Sequence, residues 1–229
     1  MRSHVRSHET IPAPSAESAS QNRVSPAEVR QFNAQFLTAV KELDTFLIYK
    51  WIKDLSGRPI LDTDHVQSAL LALASNREPK KTSFRREAEK YRVLAVSAIL
   101  NDRVASLECR DGDHKMTPLI LAACFGRKAI AKLLVENGAS LRAKDGKLGR
   151  NALSWAAKNN FLETTEIILQ ASLEQQDKQA VESIDIDHCT ALDLARQRGH
   201  MRIVELLESR GGAIGELEAP VSGTLSWVT

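Results

Sequence analysis

The sequence predicts an all-α fold: a solenoid of paired antiparallel helices joined by hairpin turns, preceded by an N-terminal helical segment. Three observations predict it. Segments 116–127, 150–161 and 189–200 fall into register on Leu119, Leu153 and Leu192, which lie 34 and 39 residues apart and are followed by small residues. Behind each segment comes a stripe at i, i+3, i+4: Ile130, Leu133 and Leu134, then Thr164, Ile167 and Ile168, then Ile203, Leu206 and Leu207. Asp/Gly-rich stretches at 110–113 and 144–147 separate the units and can reverse the chain. Self-similarity at this period marks stacked units, each of which buries its apolar face against a neighbour.

The elements follow in chain order. Residues 1–24 are polar and rich in Ser, and are expected to form a disordered tail. Residues 25–80 are expected to be helical. Ser25-Pro26-Ala27-Glu28 is a capping box with Pro at the first helical position, and apolar residues recur from Val29 to Leu55. A second helix is predicted over 64–74. These helices are expected to cover the N-terminal end of the stack, the alternative being a dimerisation or partner-binding role. The repeat region is drawn at 84–212, with units at 84–110, 111–144, 145–184 and 185–212. The first unit is degenerate: Val96, Leu100, Ala105 and Leu107 stand 34 residues before Ile130, Leu134, Ala139 and Leu141, with Thr82 or Ser83 as its cap. Thr117-Pro118 and Thr190 suit helix starts, because a Thr side chain can accept from free N–H groups and Pro lacks one. Gly138 and Gly211 fall where helices should stop in the left-handed conformation. The polar stretch 170–183 carries the five extra residues of the third unit, as a longer helix or a longer loop. Residues 213–229 lack helical periodicity and are expected to form a flexible tail.

These units resemble the ankyrin repeat, whose core reads Thr-Pro-Leu-His-x-Ala-Ala. The match is strongest at Met116 to Gly126 and covers about 84–212. The resemblance implies a non-catalytic protein-interaction module, an adaptor or regulator that binds a protein partner through the concave face. This chain departs from the pattern. Ile120, Ser154 and Asp193 replace the motif's His, Asn151-Ala152 replaces Thr-Pro, and Asn160 stands where Gly is usual. The middle unit is therefore expected to be the softest. His200, after Gly199, matches the family's structural Gly-His between helices.

Composition sets further bounds. The 229 residues carry 31 Lys+Arg against 29 Asp+Glu, a net charge of +2, so the basic footprint of direct nucleic-acid binding is absent. No apolar run approaches the length of a membrane span. Three cysteines, Cys109, Cys124 and Cys189, fit free thiols in a reducing compartment. Cytoplasmic localisation is expected, with the nucleus as alternative on the basic cluster 80–86, where Ser83 is a candidate phosphorylation site. No catalytic, metal-ligating or cofactor motif emerges, so no enzyme activity, metal or cofactor is expected. The alternatives are a nuclear transcriptional cofactor acting through protein contacts, or an effector with activity in 25–80. Oligomeric state is not readable.

Carried position by position, the resemblance puts Phe125, Trp155, Lys158, Asn159 and Arg198 on the partner-binding face. The same face holds Leu121, Cys124 and Leu194. The loop 142–150 adds Lys144, Lys147 and Arg150 at its tip. That loop is basic and the next tip (Glu182, Asp185, Asp187) is acidic, so an acidic partner segment is expected over the middle unit.

Overall fold

The computed structural model describes residues 35, 38–39, 48–49, 63–75, 85–101 and 105–211. The expected tails, most of the 25–55 helix and Ser83 lie outside them. Among the described residues the secondary structure is helical: α1 (Thr63–Ala74), α2 (Arg85–Asn101), α3 (Pro118–Cys124), α4 (Lys128–Glu136), α5 (Ala152–Lys158), α6 (Leu162–Glu174), α7 (Lys178–Val181), α8 (Ala191–Gln197) and α9 (Met201–Gly211).

The helices start where the chain can satisfy their free N–H groups. Thr117 accepts from the Ile120 N–H, with Pro118 at the first helical position. Asn151 does the same for Ser154, so the departure from Thr-Pro keeps a competent cap. Thr190 and Asp193 form a reciprocal capping box. The tight turns between paired helices need left-handed backbone. Gly126 (φ 64°), Asn160 (φ 63°) and Gly199 (φ 71°) supply it, and Asn tolerates that region better than most side chains. Gly138 follows α4 at φ 87°, and α9 is described as far as Gly211.

First helices stack on first helices (α1, α3, α5, α8) and second helices on second helices (α2, α4, α6, α9). Ala122, Ala123, Ala156, Ala157 and Ala195 are fully buried between the layers, where a small side chain permits close helix approach. Leu119, Leu153, Ile130, Leu134 and Ile168 fill the rest of the core. Helix α1 packs on α3 and on α2, and α2 packs on α4. Arg92 of α2, only 2 % exposed, donates to the carbonyls of Leu73 and Ser75 and so satisfies the end of α1.

The five extra residues of the third unit lengthen α6 and add α7. Asp177 caps α7 and pairs with Arg142 of the preceding tip at 2.8 Å. Asn151, itself fully buried, reaches across to the Ala180 carbonyl at 2.6 Å. The insertion thus makes one contact within the middle unit, through Asn151, and one to the unit before, through Arg142.

Candidate partner-binding groove

Each turn between units is organised by one aspartate. The backbone N–H of Asp111, Asp145 and Asp185 closes the turn onto Met116, Arg150 and Cys189 respectively. The side chains then collect the turn's own donors. Asp111 accepts from the His114 and Met116 N–H groups, Asp145 from Lys147, Leu148 and Arg150, and Asp185 from Asp187 and Cys189. Successive tips are joined by Gly146 N–H to His114 O and Ile186 N–H to Leu148 O, at 2.8 and 3.0 Å. Long basic side chains span the same steps: Arg110 donates to the Lys144 carbonyl and Lys144 to the Ile184 carbonyl, both at 2.7 Å.

An open cavity of about 600 Å3 lies under the first two of these tips. Leu121, Cys124 and Phe125 of the α3 end and Trp155 of α5 form its floor. Met116, Leu148 and Lys147 come from the tips, and Ser75 from the end of α1. Trp155 is fixed by its indole N–H, which donates to Asp145 Oδ2 at 2.8 Å. Lys158 and Arg150 lie over its ring at 4.9 and 5.5 Å from the centroid.

Titration behaviour follows this packing. Burial alone would raise Asp145, but the N–H groups of Leu148, Lys147 and Arg150 and the Trp155 indole outweigh it, and its carboxyl pKa is lowered. Asp185 behaves alike: burial opposes ionisation, while Cys189, Arg150 and Asp187 overcome it. Lys158 is lowered by burial, then by Arg150 and Arg198 nearby. The thiols are free; burial chiefly pushes Cys109 up to about 11 and also raises Cys124.

The structure sorts the residues expected at the binding face. Phe125, Trp155 and Lys147 line one cavity, and Lys147 and Arg198 are exposed. Arg150 does not belong to the surface, and its expected place there is corrected. It is 6 % exposed, and its Nε meets Asp185 Oδ2 at 2.8 Å, so its charge is met inside the stack. Asn159 donates to the Cys124 carbonyl at 2.8 Å and ties α5 to α3. Lys144 reaches the next tip, and Lys158 stacks on Trp155. Leu194 is buried. The His200 Nε2–H donates to the Lys158 carbonyl, 3.0 Å away, a structural role of the kind expected of Gly199-His200. The basic and acidic tips therefore largely meet each other: Arg142 pairs with Asp177, and Arg150 with Asp185 and Asp187. Met116, Leu148 and Ser75 were not anticipated as lining residues. Two apolar residues in otherwise polar turns were the available signal for Met116 and Leu148. Among the described residues no three His, Cys, Asp or Glu side chains converge to hold a metal, and no helix is long and apolar enough to cross a membrane.

Stacked helical hairpins bridged by tip-to-tip hydrogen bonds, with a groove beneath the tips, define a helical-repeat solenoid. Residues 114–146 match the family model for the ankyrin repeat. The chain is 35% identical over 109 residues to the "Probable E3 ubiquitin-protein ligase XBOS34" of Oryza sativa subsp. japonica, covering 46% of this chain and 20% of that one. It is 30% identical over 101 residues to the "Ankyrin repeat and KH domain-containing protein mask" of Drosophila melanogaster, covering 44% and 2%. The chain spans a fifth or less of the length of either relative. Ankyrin repeats in general mediate protein–protein interaction.

Proposed function

We propose that this chain is a non-catalytic adaptor or regulator that binds a protein partner through the groove beneath its first two tips. The partner sets an apolar side chain between Phe125 and Trp155 and an acidic group against Lys147. One observation carries the reading. The groove is apolar, and both carboxylates on its wall, Asp111 and Asp145, already accept hydrogen bonds from their own turns, while Lys147 stands exposed. An apolar pocket with a few fixed polar groups is suited to recognition, and the remaining positive charge selects the sign of the incoming one. The ligase name belongs to the rice protein, and this reading asks no transfer chemistry of the present chain. Free thiols at Cys109, Cys124 and Cys189 support a reducing compartment such as the cytoplasm.

The test compares partner capture from a matched lysate by the wild-type chain, Lys147→Glu and Lys132→Glu. Lys132 is exposed on α4, away from the cavity lining, and serves as the charge-matched control. A partner held by wild type and Lys132→Glu but lost by Lys147→Glu supports the groove. A partner held equally by all three refutes it.

A further inference from the structure

Beside the groove, one half-buried cation is left without an opposite charge. Lys158 ends α5, and its Nζ lies 4.9 Å from the centroid of the Trp155 ring. A ring face attracts the ammonium but offers its N–H groups no oxygen, and no ion pair or hydrogen bond reaches that ammonium from the described residues. The carboxylates of the adjoining turns are already engaged. Asp145 Oδ2 accepts from the Trp155 indole N–H, and Asp185 Oδ2 meets the Arg150 guanidinium at 2.8 Å. What stands beside Lys158 is positive. Arg150 lies over the same ring, 5.5 Å from the centroid. Arg198 directly follows α8, and the His200 Nε2–H donates to the Lys158 carbonyl, which brings the end of α8 against the end of α5. Arg198 is exposed and likewise forms no ion pair among the described residues. Burial, then Arg150, then Arg198 hold the Lys158 ammonium below the ordinary lysine range. In register, Lys158 stands where α3 has Cys124, and Arg198 where Phe125 follows α3, so the repeat itself does not demand these cations. A half-buried ammonium beside two guanidiniums works against stability unless an anion joins them, and such local conflicts mark functional sites.

We infer that Lys158 and Arg198 together receive a phosphoryl group carried by the bound partner. The charge fits. A phosphorylated serine or threonine carries about −1.5 to −2 at neutral pH, against the two positive charges left unpaired here, whereas a carboxylate carries a single one. The donors fit as well. Arg198 offers a planar fork suited to two phosphate oxygens, and Lys158 a compact ammonium. Trp155 joins this seat to the groove, because its ring is part of the groove floor and also carries Lys158. A phosphorylated segment with an apolar side chain in the groove is therefore gripped at both places, and phosphorylation strengthens its binding. That gain for the partner rests on the groove reading, whereas anion binding by Lys158 and Arg198 stands without it.

The test uses the full chain labelled with 15N-lysine, in which the Lys158 amide resonance is identified by its loss in Lys158→Gln. Blocked phosphoserine (N-acetyl-O-phosphoserine N-methylamide) and the matching blocked glutamate are titrated at constant ionic strength. Phosphoserine should shift the Lys158 resonance saturably and leave that of Lys132, on α4, in place. Glutamate should bind about tenfold more weakly, and so should phosphoserine to Arg198→Gln, which loses a charge-assisted hydrogen bond at an exposed position. Equal affinity for the two probes, equal shifts at Lys132 and Lys158, or unchanged affinity in Arg198→Gln overturns the inference. If phosphoserine fails to bind while Lys147→Glu still loses its partner, this seat alone is struck. Saturable phosphoserine binding with a partner held equally by Lys147→Glu supports the seat and strikes the groove alone.

Discussion

Replacing Arg150 with Met should unfold this protein far more readily than its position in a surface turn suggests. The side chains of Arg150 and Asp185 are 7% and 0% exposed, and they meet at 2.8 Å across a unit boundary. Removing the guanidinium leaves the Asp185 carboxylate buried with only the Asp187 and Cys189 N–H groups to hold it. Breaking a buried pair from one side costs about 3–5 kcal/mol, a large part of the roughly 5–15 kcal/mol that a domain has in total. Exposed Lys128 and Glu163, also paired across a boundary, serve as control. Lys128→Met should cost only ~0–1 kcal/mol. Urea unfolding followed by circular dichroism and by tryptophan fluorescence reads both variants, and non-coincident curves would reveal units unfolding separately. The pH dependence adds a signature. The Asp185 pKa is lowered in the folded chain, so the pair's contribution is full above the unfolded Asp value of about 3.9 and is lost as pH falls through the folded value. The Arg150→Met deficit should therefore be complete at neutral pH and narrow in acid. If Arg150→Met costs no more than Lys128→Met at pH 7, the buried-pair reasoning is wrong.

Two further outcomes follow from local geometry. Gly126→Ala should cost more than Gly138→Ala in thermal unfolding: both carry left-handed strain of about 1 kcal/mol or more, but only the first drives a Cβ into the Phe161 ring. Cys109, with its thiol pushed up to about 11, should alkylate with iodoacetamide at pH 7.5 far more slowly than in the unfolded chain, by mass-spectrometric counting of modified thiols; equal rates would contradict it.

The period of the stack was legible because its cause is local. Leu119 with Ala122 and Ala123 must recur wherever two first helices approach closely, and Thr117 and Thr190 announce where two of those helices begin. The start of the stack was harder to read. Ten residues, 75–84, separate α1 from α2, against the three between α3 and α4, so the fixed spacing fails there. The groove was legible only in part, for a different reason. A basic residue in a turn looks the same in sequence whether it faces a partner or a buried carboxylate. Arg150 and Asp185 are 35 residues apart, and only the stacking brings them together. Asn159 was hidden similarly, because the carbonyl it serves belongs to Cys124 of the unit before.

The aspartate at the foot of each turn also divides the tip row by how freely it can change. Asp111, Asp145 and Asp185 each collect several donors, so a substitution there disturbs a whole turn. Two residues further on, Asp113, Lys147 and Asp187 stand exposed at the summits. A change of side chain at a summit leaves these donor sets in place, so under the proposed groove reading the rim's charge can be altered without undoing the turn beneath it.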